Sequence, residues 1–467
     1  MLSDHNSSLV YASSLVFASV AVYLFAPSFL TDRAEPARAG SRYVVGLHNR
    51  ANDCFANSDL QALAASQVLR AYLDSEATAE QPLTVALRRM IQDLNRPIRR
   101  PTSVSPWTFL RVLESVYKAR ITRHQQDAHE LLHLILETLA DEHEKARKAA
   151  ASPDAAEKPV EKAAPPRPPL PFEGRTVDRV RCERCGSVSV GRGTTFVVLT
   201  LQLPQRWSAD LADVAAAYTA PETITGFGCQ SCRLAALGAT LLAKVRRTEP
   251  GYEPPPAAAV AVDAVPDVAD PAALLAYVRG VDRNADLPAE VEALLPKNVT
   301  ATIERTTSFE HLPELLCLHL SRSVFSGTAS RNSCRVTFPE QLTMRTESGG
   351  RLARLVLDGD PGEAEYRLVA LVRHSGTHSA GHYECFRRKE MFEPEPAPES
   401  SASSASSEPR DERPPDRAAF RAFTGGKDWW RVSDDRVWEA KTDEVLKQKQ
   451  SVYMLLYERI PARIGKL

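Results

Sequence analysis

Two Cys-x-x-Cys pairs, Cys182/Cys185 and Cys229/Cys232, constrain this chain more than any other feature. Each pair offers two sulfurs from one tight turn, and two such turns brought together supply the four ligands of a tetrahedral zinc site. The chain between them must therefore run out and return. Strand-like Thr195–Leu203, TFVVLTLQL, lies within that excursion. Local disulfides or redox motifs are the alternative. However, eight cysteines in 467 residues, with Cys54, Cys317, Cys334 and Cys385 scattered, do not make a secreted disulfide framework. The pattern points to a reducing compartment and to zinc. Four thiolates leave no open position on the metal, so its role would be structural.

Ordered patterning is interrupted elsewhere. Leu9–Leu30 carries no charge and is long enough to cross a bilayer. No Lys or Arg precedes it, while Arg33, Arg38 and Arg42 follow. That asymmetry favours a retained anchor with the bulk of the chain on the cytosolic side, over a cleaved signal peptide or a core helix. The expected organisation is an N-terminal membrane anchor over 1–30 and a linker over 31–42. A single domain over 43–460 then contains low-complexity insertions at about 145–171, 249–270 and 393–417. The 58 basic and 59 acidic residues nearly cancel, which gives no support for nucleic-acid binding.

Within the domain, Leu60, Leu63, Val68, Leu69 and Tyr72 recur at helical spacing, as do Leu131, Leu132, Ile135, Leu136 and Leu139. Leu312–Leu320, Tyr366–Val372 and Ser451–Glu458 read as strands. Mixed patterning of this kind indicates an α+β fold.

Three segments carry chemistry. In GLHNRANDCFANSDLQAL, Cys54 precedes an amphipathic helix. A thiol there meets unpaired N–H groups and the positive end of the helix dipole, which lowers its pKa from about 8.5. Asn49, five residues earlier, has an amide suited to a developing oxyanion. A buried structural cysteine is the competing reading. In YRLVALVRHSGTHSAGHYECFRR, a strand, a glycine-containing turn and a second strand present His374, His378 and His382. His382 opens the second strand after Gly381, where a backbone can approach a neighbouring site. In WWRVSDDRV, Ser433, Asp434 and Asp435 can orient a histidine. They can equally form a solvated turn with a helix cap.

Together these segments resemble the ubiquitin-specific proteases, a papain-like family of deubiquitinating enzymes. The cysteine motif is Gly46-Leu47-x-Asn49-x-x-Asn52-x-Cys54-Phe55-x-Asn57-Ser58-x-Leu60-Gln61. The histidine motif is His374-x-Gly376, then Gly381-His382-Tyr383. Gln125-Gln126-Asp127-Ala128-His129-Glu130 resembles the family's acidic helix motif. Leu312-Pro313, His319-Leu320-x-Arg322, Val336-x-Phe338-Pro339 and Tyr453-x-x-Leu456-Tyr457 follow in the family's order.

The resemblance implies a papain-like thumb and palm with zinc-bearing, β-rich fingers. It implies Cys54 as nucleophile, His382 as base, Asn49 at the oxyanion and no catalytic cofactor. It also implies that Asp127, Gln126, Glu130, Gly381 and Tyr383 contact the ubiquitin tail, with ubiquitin and ubiquitinated proteins as partners. Zinc would sit on Cys182, Cys185, Cys229 and Cys232. The chain departs from the family at Ala51 and Asp53, where Gly and Thr are usual, and Asp53 would oppose thiolate formation. Spacing to Val437 puts Ser433 at the third catalytic position; aligning Trp430 instead puts Asp434 there. A serine at that position together with an anchor resembles the family's mitochondrial outer-membrane member, with the endoplasmic reticulum as the alternative site. A weak or inactive ubiquitin-binding membrane scaffold is the other functional reading.

Overall fold

The structure is a computed structural model. It describes residues 44–75, 81–98, 100–118, 120–121, 127–150, 168–191, 193–254, 267–325, 329–344, 355–356, 364–377, 380–389 and 425–461. The expected anchor and linker, Gln126, His378 and the insertion at 393–417 lie outside these. Among the described residues no helix is long and apolar enough to cross a membrane.

Among the described residues five helices precede the main sheet: α1 (Cys54–Leu63), α2 (Gln67–Asp74), α3 (Pro82–Asn95), α4 (Trp107–Tyr117) and α5 (Ala128–Ala150). The first N–H groups of α2, α3 and α5 meet side-chain acceptors. Ser66 Oγ accepts the Leu69 N–H at the head of α2, and the Glu458 carboxylate accepts from Ser66 Oγ and the Gln67 N–H. Pro82 opens α3, whose first-turn N–H groups at Leu83 and Thr84 donate to Glu142 of α5 at 2.9 and 3.0 Å. Asp127 Oδ1 accepts the His129 N–H at 2.8 Å at the head of α5. The insertion expected from Lys145 therefore starts later. α5 continues to Ala150, with Glu144 paired to Arg147 and Lys148 in its last turns.

The helices lie against a sheet built from β1 (Leu199–Gln202), β2 (Leu315–Ser321), β3 (Ala364–Gly376), β4 (Gly381–Arg388), β5 (Trp429–Ser433), β6 (Arg436–Ala440) and β7 (Val452–Arg459). Its order is β6-β5-β4-β3-β7-β2-β1, antiparallel except for β2 beside β1. Side chains alternate across it with period two. Cys317, Val372, Cys385, Met454 and Leu456 face the helices, whereas Leu316, Leu371, Phe386, Leu455 and Tyr457 join a second core.

A separate sheet orders Val188–Val190, Gly174–Cys182, Ala301–His311 and Glu222–Phe227. The strand expected over Thr195–Leu203 is divided between the two sheets. Thr194–Phe196 pairs with Gly174–Thr176, and β1 joins the larger sheet, because Val197 and Val198 turn into the helix-side core. The expected β-rich fingers also contain helices. Gln230–Thr248 packs with Pro271–Gly280 and Ala289–Leu294 around Leu234, Leu237, Leu241, Leu274 and Val278. The apolar spacing at 234, 237, 241 and 245 carried that helical signal.

All ten residues of α1 are buried, polar ones included. Gln61 donates to the Val45 carbonyl and accepts from Arg387 of β4, whose guanidinium also donates to the Ala64 carbonyl. Arg387 is itself buried, so this bonding locks the cysteine helix to the histidine strand. Asp59 is different. Its side chain is fully buried, and among the described residues neither carboxylate oxygen finds a hydrogen-bond partner.

Burial, and then the Asp127 charge, push the Asp59 pKa well above the usual carboxylate range. A raised folded-state pKa means that the native state holds this proton more tightly than the unfolded chain. Stability from this group is complete below the ordinary carboxylate pKa and is lost as pH rises toward the raised value. We predict that Asp59→Asn flattens the fall in Tm with rising pH above about pH 4. Parallel Tm–pH curves for the two proteins would show that Asp59 is ionised and compensated.

Candidate active site

The site forms where α1 meets the open ends of β4 and β5. Cys54 is the first residue of α1, after Asp53, and is 4% exposed. His382 is the second residue of β4, with its side chain 41% exposed. The backbone N–H of Tyr383, the residue after His382, acts on the Cys54 sulfur. Thus the two widely separated motifs meet.

Ser433 and Asp434 both reach the histidine. His382 Nε2 lies 2.8 Å from Ser433 Oγ and 3.9 Å from Asp434 Oδ2. The acidic segment is a hairpin turn between β5 and β6, with Ser433 opposite Arg436, and not the start of a helix. Asp434 has φ +54°, a left-handed conformation that aspartate tolerates in such turns. Its carboxylate then spans to the cysteine side: Oδ2 accepts from Asn49 Nδ2 at 2.9 Å and Oδ1 from Asn57 Nδ2 at 2.8 Å. Its carbonyl accepts the Leu47 N–H at 2.9 Å. Gly46 is required here, since a Cβ would stand 2.8 Å from the Asp435 Cα.

Asn57 is the residue whose role the sequence reading did not assign. It stands three positions after Cys54 in the cysteine motif, one helical turn away on the same face. Asn49 differs from its expectation as well. Its amide is not free, because one N–H is engaged by Asp434 while Oδ1 accepts the N–H groups of Ala51 and Asp53. One N–H remains for an oxyanion.

The thiol pKa runs against the helix-dipole expectation. Burial pushes Cys54 up to about 11, and the Asp434 charge adds to the rise. The N–H groups of Tyr383, Phe55 and Cys54 pull it down but do not prevail. The charge opposing the thiolate is thus Asp434, not the expected Asp53. Asp53 instead accepts from Trp107 Nε1 and the Arg50 N–H.

Asp127 and Tyr383 lie beside this centre. Asp127 Oδ2 accepts from Tyr453 of β7 at 2.5 Å, and Tyr383 packs 5.7 Å from Tyr453 and 4.3 Å from His374 between ring centres. Gly381 leaves room for the His374 ring, which a side chain would strike. Glu130 points to solvent from the first turn of α5.

The four cysteines of the paired motifs also meet. Their sulfurs lie within 4.8 Å of one another. Cys182–Cys232 and Cys185–Cys229 are 3.8 and 3.7 Å apart, too long for disulfides. Tetrahedral zinc with bonds of about 2.3 Å separates its sulfurs by about 3.8 Å, so the cluster fits that ion.

At a pKa of about 11, roughly one Cys54 thiol in ten thousand is ionised at pH 7. Alkylation of Cys54 by iodoacetamide should therefore keep accelerating from pH 7 to pH 10. A plateau by pH 7 would instead reveal a preformed thiolate–imidazolium pair.

Comparison with known proteins identifies the family. A family model described as ubiquitin carboxyl-terminal hydrolase matches residues 45–457. Ubiquitin carboxyl-terminal hydrolase 16 of Emericella nidulans is 32% identical, over 86% of this chain and 72% of that protein. Its namesake in Saccharomyces cerevisiae is 27% identical over 95% of both. Ubiquitin carboxyl-terminal hydrolase 30 of Danio rerio is 24% identical, over 89% of this chain and 86% of that protein. Among solved structures, the SAGA Ubp8/Sgf11/Sus1/Sgf73 DUB module bound to ubiquitin aldehyde is similar in fold. The TM-score is 0.50 at 16% identity, over 95% of this chain and 75% of that one. The chain belongs to the ubiquitin carboxyl-terminal hydrolase family and is a cysteine-type ubiquitin hydrolase.

Proposed function

We propose that this chain is an isopeptidase that cleaves after the C-terminal glycine of ubiquitin, using Cys54, His382, Ser433 and Asp434. The observation that carries this reading is the Asp434 carboxylate. It holds Asn49 and Asn57 on the cysteine side and stands 3.9 Å from the His382 imidazole on the other.

In this reading, His382 donates its Nε2 proton to Ser433 Oγ, which leaves Nδ1 as the base. As the Cys54 sulfur attacks the glycine carbonyl, Nδ1 takes the thiol proton. Because the resting thiol is neutral, this transfer belongs to the attack itself. The free Asn49 N–H and the backbone N–H groups at the head of α1 face the developing oxyanion. Nδ1–H then protonates the leaving lysine amine, and the carbon–nitrogen bond breaks. Water hydrolyses the resulting thioester, regenerating the thiol. Ser433 sets the ring orientation, while Asp434 supplies the negative charge that a serine cannot bring to the imidazolium. Asp127 and Tyr383 border the path of a basic ubiquitin tail, where an acidic group is complementary.

An electrophilic ubiquitin C-terminal probe should label wild-type protein at Cys54 and leave Cys54→Ala unlabelled. Ubiquitin binding without an adduct would favour the scaffold reading. Ser433→Ala should lower kcat about tenfold, and Asp434→Ala about a hundredfold, since it loses charge and oxyanion support together. Equal losses would mean that Asp434 adds nothing beyond orientation.

The four-cysteine cluster is read as a structural zinc site that holds the fingers closed. Purified, reduced protein should carry about one zinc per chain, and Cys229→Ser should lose the metal and lower Tm. Full stability in metal-free protein would remove this role.

A further inference from the structure

His382 lies near an end of β4 that, with β3, extends beyond the neighbouring strands. β3 lies between β4 and β7, but β7 begins at Val452, which pairs with Arg373. The His374 N–H still reaches the Ser451 carbonyl at 2.9 Å. Beyond that point the only strand beside the end of β3 among the described residues is β4, pairing His374 with Tyr383, Ser375 with His382 and Gly376 with Gly381. On the other flank, β5 pairs with β4 only over Cys385–Arg388. His382 thus rides on a two-stranded ribbon that overhangs the sheet. Such ribbons are marginal in water without further support.

Arg331 stands where the missing strand would be. In an antiparallel strand, alternate residues send N–H and C=O to the same side. Since the His374 N–H faces β7, the carbonyls of His374 and Gly376 face the side that β7 has left. Arg331 donates to both, Nη2 to His374 at 2.7 Å and Nη1 to Gly376 at 2.6 Å.

The guanidinium is held from behind. Arg331 ends the strand Ala329–Arg331, paired with Ser323–Phe325. The next residue, Asn332, donates to the carbonyls of Leu203 and Pro204, and its own carbonyl accepts from buried Arg322. Burial lowers the Arg331 pKa, with Tyr383 and Tyr453 acting against the fall, which places its charge close to those two rings. A planar fork matches two parallel carbonyls; a lysine ammonium does not.

We propose that Arg331 is a positioning residue for His382. It continues the ladder that β7 abandons, and so keeps the histidine end of β4 in register. This rests on the reading of His382 as the base.

The test pairs hydrolysis of a fluorogenic C-terminal ubiquitin amide with amide hydrogen exchange, on the full chain. Arg331→Ala should lower kcat about tenfold while KM stays within about twofold, as expected for a misplaced base. Exchange at Gly381–Tyr383 should quicken, with Cys385–Arg388 unchanged. Arg331→Lys should fall between, and carries the test if Arg331→Ala does not fold. An unchanged kcat, unchanged exchange in the ribbon, or a raised KM at constant kcat overturns the proposal; the last would make Arg331 a substrate contact. Turnover retained in His382→Ala would instead overturn the reading of the site, whatever the Arg331 variants do.

Discussion

The burial of the Cys54–Leu63 helix against β4 is the constraint on which the rest depends. A helix with no solvent-facing residue must satisfy its polar side chains from within. Gln61 does so through Val45 and Arg387, and Ser58 through the Phe55 carbonyl. The Arg387 bond joins the helix to β4, whose second residue is His382. One interface therefore stabilises the fold and sets where Cys54 stands relative to His382.

The same burial shapes the chemistry. Removing Cys54 from water penalises its thiolate more than the helix N-terminus favours it. Asp434 deepens that penalty while it organises Asn49 and Asn57. A carboxylate that opposes the resting thiolate is the same one that favours imidazolium once the proton has moved. The arrangement suits a resting thiol that loses its proton only as it attacks.

Much of this was readable beforehand. The cysteine and histidine motifs, both strands flanking Gly376–Gly381 and the four clustered cysteines follow from residue type and spacing, because local backbone geometry governs them. The helix at 230–248 was equally written in leucine spacing, although the sequence reading did not assign it. The division of Thr195–Leu203 between two sheets was not readable. Val197 and Val198 fit a strand as well as they fit the core, and only the packing of two sheets separates those outcomes.

By itself the sequence determined which groups could react: one cysteine before a helix, one histidine after a glycine, and a serine–aspartate pair in a turn. Tertiary structure decided how those groups behave. Helix position suggested an acidic thiol, and depth of burial reversed it. Neighbouring positions 433 and 434 looked like alternatives, and a left-handed turn gave each a separate contact with His382. The reason is that spacing sets local conformation, whereas charge energetics depend on solvent exclusion and on groups hundreds of residues away in the chain.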